Sequence, residues 1–242
     1  MVSTIASAQT YVNVIFDKSA VRSFSVESVE KVSIGERKEI GTINGHAYVE
    51  LAGKKWATEN VANMENKLKT KEDKRPAIAV DAKYGMYYTK DNNKAGIARD
   101  SWGDAWKIPS VKDWQDLINK CYWYYTKDYN GMVGCIVYEA QEEEDKGKSN
   151  MGISYTPKTE YSVDKVPHIF LPAAGCYIAK KKDDSDIIGE QINFAGEIGL
   201  YSTEYIDEDE GHILYFNSKE LKVGKDAIVE TYNGMPVRLV AN

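Results

Sequence analysis

Two groups of aromatic side chains beside polar residues are the part of this sequence best suited to binding chemistry. Residues 122–125 are Tyr-Trp-Tyr-Tyr, and Tyr201 and Tyr205 precede an acidic run at 207–210. A sugar ring has flat apolar faces edged by hydroxyl groups, so flat aromatic rings next to carboxylates or amides complement it. The candidate ligand-binding residues are therefore Tyr124, Tyr125, Tyr201, Glu204, Tyr205 and His212. We expect the tryptophans at 56, 106, 114 and 123 to pack in the core instead.

The acidic run is the candidate for a metal site, and its members are Asp207, Glu208, Asp209 and Glu210. Oxygen-rich loops can bind Ca²⁺, but a calcium site needs about six to eight converging oxygens. Neighbouring residues of a strand point to opposite faces, so four adjacent acids more often form a solvated hairpin tip. We therefore predict no required cofactor and keep calcium at this run as the alternative.

The residues that could support catalysis form no recognisable constellation. His46, His168 and His212 lie far apart in the sequence, and the Gly-x-Ser-x-Gly motif of a nucleophile elbow is absent. Cys121, Cys135 and Cys176 match no zinc or thioredoxin spacing, and three cysteines cannot all pair within one chain. We expect structural histidines, at least one cysteine that acts as a small buried hydrophobe, and no enzymatic activity. A Cys121–Cys135 bridge stays open as an alternative.

The composition is that of a soluble globular domain. The chain has 242 residues, a net charge of −6, and is 43% hydrophobic and 28% charged. An acidic balance argues against nucleic-acid binding, and no apolar run approaches the ~20 residues of a membrane helix. Ala6-Ser7-Ala8 has the small-x-small pattern of a signal-peptidase site without the usual basic and long apolar segments before it. We interpret residues 1–8 as the remnant of an export signal and predict an extracytoplasmic protein.

Short strands and one clear helix are the elements that must position these residues. Ser110 with Asp113 predicts a capped helix start, and a weaker helix is predicted over 90–98. Asn44-Gly45 predicts a hairpin turn within 40–51. Other strands are predicted at 11–16, 21–26, 29–34, 132–138, 168–171, 175–179, 199–205, 212–216, 227–232 and 237–240. The charged segments 65–76 and 139–150 are predicted to be solvated insertions.

Ordered motifs along the chain resemble one known module. They are Trp56-Ala-Thr-Glu-Asn60, Tyr84-Gly-Met-Tyr-Tyr88, Trp102-Gly-Asp-Ala-Trp-Lys-Ile-Pro-Ser110, Ile169-Phe-Leu-Pro-Ala-Ala-Gly175 and Pro236-Val-Arg-Leu-Val240. This series resembles the Fibrobacter succinogenes major paralogous domain of surface and secreted proteins in Bacteroidetes and Fibrobacteres. The resemblance covers about residues 40–242, and the segment before it is similar to a strand-rich leader. The predicted domains are therefore a small β-strand module over 9–39 and the paralogous domain over 40–242.

The resemblance implies an α+β, C-type-lectin-like fold with two helices on a twisted antiparallel sheet and long loops at one end. It also implies adhesion or carbohydrate binding at the cell surface, so we predict recognition of a glycan or protein partner through loops between about residues 180 and 235. The first alternative is a structural subunit of a surface appendage such as a pilus. The second is an oxidase on the related formylglycine-generating scaffold, which is disfavoured because no cysteine follows Cys176.

Overall fold

The chain divides into two compact units, Met1–Glu36 and Arg37–Asn242, which are described separately. The computed structural model describes residues 11–16, 20–25, 40–61, 79–81, 84–88, 96, 102–152, 155–158, 166–181, 187–204, 212–225 and 234–242. In these residues, no helix is long and apolar enough to cross a membrane.

The first unit contains an antiparallel hairpin of β1 (Tyr11–Phe16) and β2 (Ala20–Ser25). Its register runs from Phe16 paired with Ala20 to Tyr11 paired with Ser25. The strands predicted over 11–16 and 21–26 are therefore confirmed, and they pair as a hairpin. The predicted strand at 29–34 and the export remnant at 1–8 lie outside the described residues.

The second unit is built from short strands and one described helix, α1 (Val111–Lys120). Before α1 come β3 (Gly41–Ile43), β4 (His46–Leu51), β5 (Lys54–Ala57), β6 (Ala79–Asp81) and β7 (Gly85–Tyr88). After it come β8 (Cys121–Tyr129), β9 (Met132–Glu139), β10 (His168–Pro172), β11 (Cys176–Lys181), β12 (Ile187–Asn193), β13 (Gly199–Ser202), β14 (His212–Phe216), β15 (Leu221–Lys225), β16 (Met235–Pro236) and β17 (Val240–Ala241).

The described strands of this unit pair into five small antiparallel sheets. Their orders are β17-β5-β4-β3, β16-β7-β6, β10-β9-β8, β13-β14-β15 and β11-β12. Sequential strands are neighbours in most of them because the connecting segments are short, which favours antiparallel pairing. The C-terminal strands β16 and β17 instead pair with β7 and β5, so they join the end of the unit to its beginning.

The α+β, C-type-lectin-like prediction is wrong, because the described structure is mostly β-sheet. It has a single described helix, and its strands are spread over several small sheets rather than one twisted sheet. The aromatic run after α1 is one physical reason: aromatic residues favour strands, and 121–129 continue directly from the helix as the longest described strand. The weaker helix predicted over 90–98 lies outside the described residues, apart from a turn at Gly96.

Local signals explain the elements that were predicted correctly. The Ser110 hydroxyl accepts from the Asp113 backbone N–H at 3.1 Å, and the Asp113 carboxylate accepts from the Ser110 N–H at 2.9 Å. This reciprocal cap starts α1 where the sequence predicted it. Asn44 and Gly45 have φ values of 52° and 83°, the left-handed pair that the predicted β3–β4 turn requires.

The principal core surrounds α1 and contains three of the four predicted tryptophans, whereas Trp106 packs with Trp102 in a second cluster. Trp56, Trp106, Trp114 and Trp123 are each fully buried. Trp56 and Trp114 have ring centroids 4.7 Å apart, so β5 and α1 pack through their indoles. Trp123 contributes from β8 and lies 6.4 Å from Phe216 of β14. One aromatic cluster therefore joins three sheets to the helix.

Three buried polar residues, here named the polar hub, cross this core: Asn60, Tyr201 and Arg238. Arg238 donates through one terminal nitrogen to the Ala57 carbonyl at 3.0 Å and through the other to the Phe170 carbonyl at 2.7 Å. The Asn60 amide donates to the Tyr84 carbonyl at 3.0 Å and to the Tyr201 hydroxyl at 3.4 Å. The hub therefore ties β5, β10 and β13 to the start of β7.

The charged segment 139–150 is largely exposed, as predicted, but it is also anchored to the fold. It contains a 3₁₀ turn, Glu143–Asp145, whose Asp145 side chain is buried and accepts from the Tyr155 hydroxyl at 2.7 Å. Further along, the Asn150 side chain accepts from the Tyr125 N–H at 2.6 Å and donates to the Tyr125 carbonyl at 2.9 Å. The segment thus covers the outer edge of β8. The predicted insertion at 65–76 and the strand at 227–232 lie outside the described residues.

Asp113, in the first turn of α1, forms ion pairs with two lysines. Lys54 and Lys107 each place their ammonium nitrogen 3.3 Å from its carboxylate, which is 5% exposed. Burial by itself raises the pKa of Asp113, but the Ser110 hydrogen bonds and the two lysines outweigh it and hold that pKa below its ordinary value. The charged carboxylate therefore stabilises the folded state.

We expect Asp113→Asn to lower the free energy of unfolding at pH 7 by about 1–2 kcal/mol, the range for a lost helix cap. The folded-state pKa lies below the unfolded value of about 4, so the contribution is complete above that pH. It is lost as the pH falls through the folded-state pKa, so the difference between variant and wild type should shrink in acid. Urea unfolding between pH 7 and pH 3 measures this, with Asp116→Asn on the exposed side of α1 as the control. A pH-independent difference would contradict the electrostatic explanation.

Candidate functional site

Residues 194–198, here named the Phe194 loop, form a tight turn between β12 and β13. The Phe194 carbonyl accepts from the backbone N–H groups of Glu197 at 3.0 Å and Ile198 at 3.1 Å. Gly196 donates to the Ala173 carbonyl at 2.7 Å, and the Ile198 carbonyl accepts from the Gly175 N–H at 2.8 Å. The loop is therefore fixed at both ends to the segment that follows β10.

Phe194 combines a strained backbone with an exposed aromatic ring. Its φ is 62°, in the left-handed region, and its side chain is 46% exposed. A bulky residue in this region is a genuine outlier, because its Cβ crowds the following carbonyl oxygen. Such strain persists only where the surroundings over-determine it, and it concentrates at functional sites. Phe194 is therefore the first residue of the candidate site.

Gly175 explains why the loop lies so close to the β10 segment. Its φ is 64°, and a Cβ at this position would meet the Asn193 carbonyl oxygen at 1.9 Å and the Ala195 nitrogen at 2.7 Å. Only glycine allows this approach, because any side chain would overlap the backbone that carries Phe194. The last three residues of the 169–175 motif, Ala-Ala-Gly, thus pack against the backbone of the loop.

Polar residues lie on both sides of Phe194 in the sequence. Gln191 and Asn193 lie two residues apart on β12 and hence on one face of the strand, and the Gln191 amide donates to the Asn193 side-chain carbonyl. Glu197 is exposed on the other side of the loop. An aromatic ring, two amides and a carboxylate are therefore held within seven residues.

Tyr125 lies on β8, opposite Cys135 of β9, and packs half-buried against the principal core. Burial raises the pKa of its phenol, with smaller contributions from Cys135 and Glu197. The structure therefore places this predicted residue against the core.

Tyr201, in contrast, belongs to the core. It is fully buried, donates to the Pro172 carbonyl at 3.1 Å, and lies between Trp114 and Phe216 at centroid distances of 6.0 and 6.3 Å. Burial raises its pKa to about 12. Both ring faces are occupied by protein, so Tyr201 offers none to a ligand. Tyr201 is therefore a structural residue of the polar hub and does not have the predicted binding role.

The other predicted residues fall into separate places. Glu204 is exposed and its N–H donates to the Pro109 carbonyl at 2.8 Å, while the His212 carbonyl accepts from the Thr203 hydroxyl at 2.7 Å. These two lie together at the base of the β13–β14 hairpin. Tyr124 is 41% exposed on the face of β8 opposite to Tyr125. Tyr205, Asp207, Glu208, Asp209 and Glu210 lie outside the described residues, so calcium at this run stays a prediction.

The cysteines are free and buried, which makes them poor nucleophiles and metal ligands. Burial raises the pKa of Cys121, Cys135 and Cys176, in the last case to about 11, so the thiols keep their protons at neutral pH. A copper oxidase of the thiolate type needs the deprotonated form. Across the described parts of the chain, no group of three or more His, Cys, Asp or Glu side chains is arranged to hold a metal ion.

The described histidine contacts are structural. His168 has its Nδ1 2.9 Å from the Val166 carbonyl, which can only accept, so this nitrogen carries the proton. The Tyr129 hydroxyl therefore donates to the other ring nitrogen at 2.9 Å. His46 stacks on Trp102 with ring centroids 3.7 Å apart. Both rings are engaged in packing.

Phe194, Gln191, Asn193 and Glu197 were missed as individual residues in the sequence analysis. They fall within the 180–235 region predicted to hold the binding loops, but Phe194 has no neighbouring aromatic residue to attract notice. The signal that could have found it is a phenylalanine among turn residues in Asn-Phe-Ala-Gly, at 193–196.

Comparison with family models, with characterised proteins and with solved structures found no match.

We expect Gly175→Ala to lower the free energy of unfolding by more than about 2 kcal/mol, because a left-handed cost of ~1–2 kcal/mol adds to the overlap with Asn193. Gly196→Ala is the matched control. Gly196 also has a positive φ, of 83°, but nothing lies within 4 Å of its added Cβ. It should lose only about 1 kcal/mol. Urea unfolding of both variants checks this, and equal losses would mean that the close approach at Gly175 is unimportant.

Proposed function

We propose that this chain is an exported, non-enzymatic recognition domain that binds a glycan or protein ligand through the Phe194 loop at the bacterial cell surface. The β-sheets and α1 form the scaffold, and the loop presents an aromatic ring with polar neighbours. Binding residues commonly occupy loops positioned by a rigid scaffold.

The strained, exposed Phe194 is the observation that carries this proposal. A left-handed backbone costs a non-glycine residue about 1–2 kcal/mol, which is a sizeable part of a typical folding stability of 5–15 kcal/mol. Folding gains little in return from a side chain that is 46% exposed. Glycine or asparagine would suit the turn better. A ligand that contacts the ring accounts for a phenylalanine at this position.

The sequence supports the location of this activity. Ala6-Ser7-Ala8 matches the pattern before a signal-peptidase cleavage site, and the motifs from Trp56 to Val240 resemble a domain of secreted Bacteroidetes proteins. This resemblance supports the location at the cell surface, and the Phe194 loop supports the binding role.

We expect Phe194→Gly to weaken binding while folding stays intact. Relief of the left-handed strain offsets the lost ring contacts and the ~0.5–1 kcal/mol of glycine chain entropy, so stability should stay within about 1 kcal/mol of wild type. Binding should weaken by at least about tenfold, as for a central aromatic anchor. Phe216→Ala in the core should instead lose about 3–5 kcal/mol. Thermal unfolding and solid-phase binding to a glycan array and to immobilised collagen and fibronectin measure these effects.

Ile40→Ala is the matched binding control, because Ile40 is 40% exposed outside the loop. It should bind as the wild type does. Failure of the wild type to bind any ligand on either panel, or equal binding by Phe194→Gly, would contradict the proposal.

A second function, as an assembly subunit of a surface appendage, is favoured by the first unit. In its described residues this unit forms the antiparallel β1–β2 hairpin. A hairpin is only marginally stable by itself, and the edge of a strand can pair with a strand of another molecule.

We expect removal of residues 1–36 to leave a folded second unit, because that unit contains its own core. If the first unit drives assembly, the full chain will form concentration-dependent oligomers and the truncated chain will be monomeric. Analytical ultracentrifugation of both chains decides this. A full chain that stays monomeric at all concentrations would count against the assembly function.

A further inference from the structure

We propose that Asn130, in the turn between β8 and β9, is a site of spontaneous covalent modification, at which the side-chain amide is lost and a carboxylate takes its place. The equivalent turn between β3 and β4, Asn44-Gly45, is protected because its asparagine side chain is hydrogen-bonded to the fold. This inference does not depend on the recognition function, since it concerns the chemistry of the chain itself.

The reaction needs only the chain and water. The backbone nitrogen of Gly131 attacks the side-chain carbon Cγ of Asn130, and the Cγ–Nδ2 bond breaks. The departing nitrogen takes up the proton that the Gly131 nitrogen loses, so it leaves as ammonia and a succinimide ring remains. One water molecule then opens the ring at either carbonyl and gives aspartate or isoaspartate. Glycine after the asparagine favours the attack, because it has no Cβ to obstruct the approach.

The two turns are matched in sequence and in backbone conformation. Each is the turn of an antiparallel hairpin. The φ values are 52° and 83° at Asn44 and Gly45, and 53° and 79° at Asn130 and Gly131. Both asparagines are exposed. Effects of backbone conformation and of solvent access on the attack are therefore shared, and a difference in rate has to come from the contacts of each turn.

The Asn44 side chain is bonded to a buried part of the fold. Its Nδ2 donates to the Trp102 carbonyl at 2.9 Å, and a Cβ added at Gly103 would lie 2.7 Å from the same nitrogen. Trp102 is 4% exposed and stacks on His46 with ring centroids 3.7 Å apart, so the acceptor is held in place. The amide that would leave as ammonia must first give up this hydrogen bond, which stabilises the unreacted state.

The hydrogen bonds of the β8–β9 turn hold other atoms. The Gly131 N–H donates to the Asp128 carboxylate at 2.8 Å, and the Thr126 hydroxyl donates to the Asp128 carbonyl at 3.1 Å. In the described part of the chain, no residue is hydrogen-bonded to the Asn130 side-chain amide. This side chain can therefore rotate until its Cγ meets the Gly131 nitrogen, and none of its own hydrogen bonds has to break first.

Asp128 also provides an acceptor for the proton that must leave the Gly131 nitrogen. Its carboxylate oxygen already accepts from that N–H, at 2.8 Å. A carboxylate in this position acts as a general base during the attack and passes the proton to the departing nitrogen. The bond to Asp128 thus lies along the reaction path, whereas the bond of Asn44 to Trp102 opposes the reaction.

The product changes both the charge and the length of the turn. A carboxylate at position 130 lies two residues from Asp128, and isoaspartate adds one carbon atom to the main chain between β8 and β9. Tyr129, the residue before it, donates to His168 at 2.9 Å and stacks on Phe170 with ring centroids 4.3 Å apart. A longer main chain displaces Tyr129 from these partners on β10. Modified molecules should therefore be less stable than fresh ones.

The test is a peptide map by mass spectrometry of the full chain, sampled over time at neutral pH in native buffer and in urea. In native buffer we expect succinimide, aspartate and isoaspartate to form at Asn130 at least about fivefold faster than at Asn44, the factor that one hydrogen bond contributes. In urea the two rates should converge, because both side chains are then free. The third Asn-Gly pair, at 233–234, begins outside the described residues and is counted separately.

Three variants test the individual steps. Asp128→Asn should slow the reaction at Asn130 several-fold in native buffer and leave it unchanged in urea, where the contact is absent. Asn130→Gly keeps the left-handed turn, because glycine accepts a positive φ, and should reduce the loss of thermal stability with age. Asn44→Gly, the matched change in the other turn, should lose stability with age as the wild type does.

The outcomes bear on separate parts of the proposal. Equal native rates at Asn44 and Asn130 would overturn it. A difference that persists in urea would overturn it as well, since the neighbouring sequence and not the folded structure would then be the cause. Modification of Asp128→Asn at the wild-type rate would overturn the role of the carboxylate. Equal ageing of Asn130→Gly and wild type would overturn the effect on stability.

Discussion

The fold depends on a buried guanidinium whose two terminal nitrogens donate to backbone carbonyls. Arg238 has its terminal nitrogens 3.0 and 2.7 Å from the carbonyls of Ala57 and Phe170, on β5 and β10. Burial lowers its pKa, and the Tyr201 hydroxyl beside it partly restores that pKa. A buried charge is costly unless its donors are satisfied, so these strands must keep their positions for the folded state to exist. Tyr201 adds a bond to Pro172, at 3.1 Å, and so fixes the end of β10 as well.

The buried Arg238 and Tyr201 also fix the position of the surface loop, through the end of β10. Once the Pro172 carbonyl is fixed, the residues that follow it are fixed too, and they carry the Phe194 loop. Gly175 lets the loop approach, and the Ala173 carbonyl and the Gly175 N–H bind it. The backbone that carries the Phe194 ring is therefore held by the segment that follows β10. The buried charge of Arg238 and the exposed ring of Phe194 are in this way parts of one framework.

Local patterns were predicted well from the sequence, and the arrangement of the sheets was not. The Ser110 cap and the Asn44 turn depend on bonds between near neighbours, which a local pattern contains. The division into several small sheets depends on pairings such as Val240 with Trp56, between residues far apart in the chain. Tyr201 was assigned to the surface because a tyrosine pattern does not show which face of a strand is covered. Phe194 was missed because its significance lies in a backbone angle.

The Asn150 side chain has a consequence for how this protein behaves when crowded. Its amide copies a peptide unit, because it bonds both the N–H and the carbonyl of Tyr125. An open strand edge is a template for pairing with other chains, and natural proteins block such edges. Here one amide closes part of the edge of β8, a strand rich in aromatic residues that would otherwise favour aggregation. The Asn150 amide therefore limits the pairing of this aromatic strand with strands of other chains.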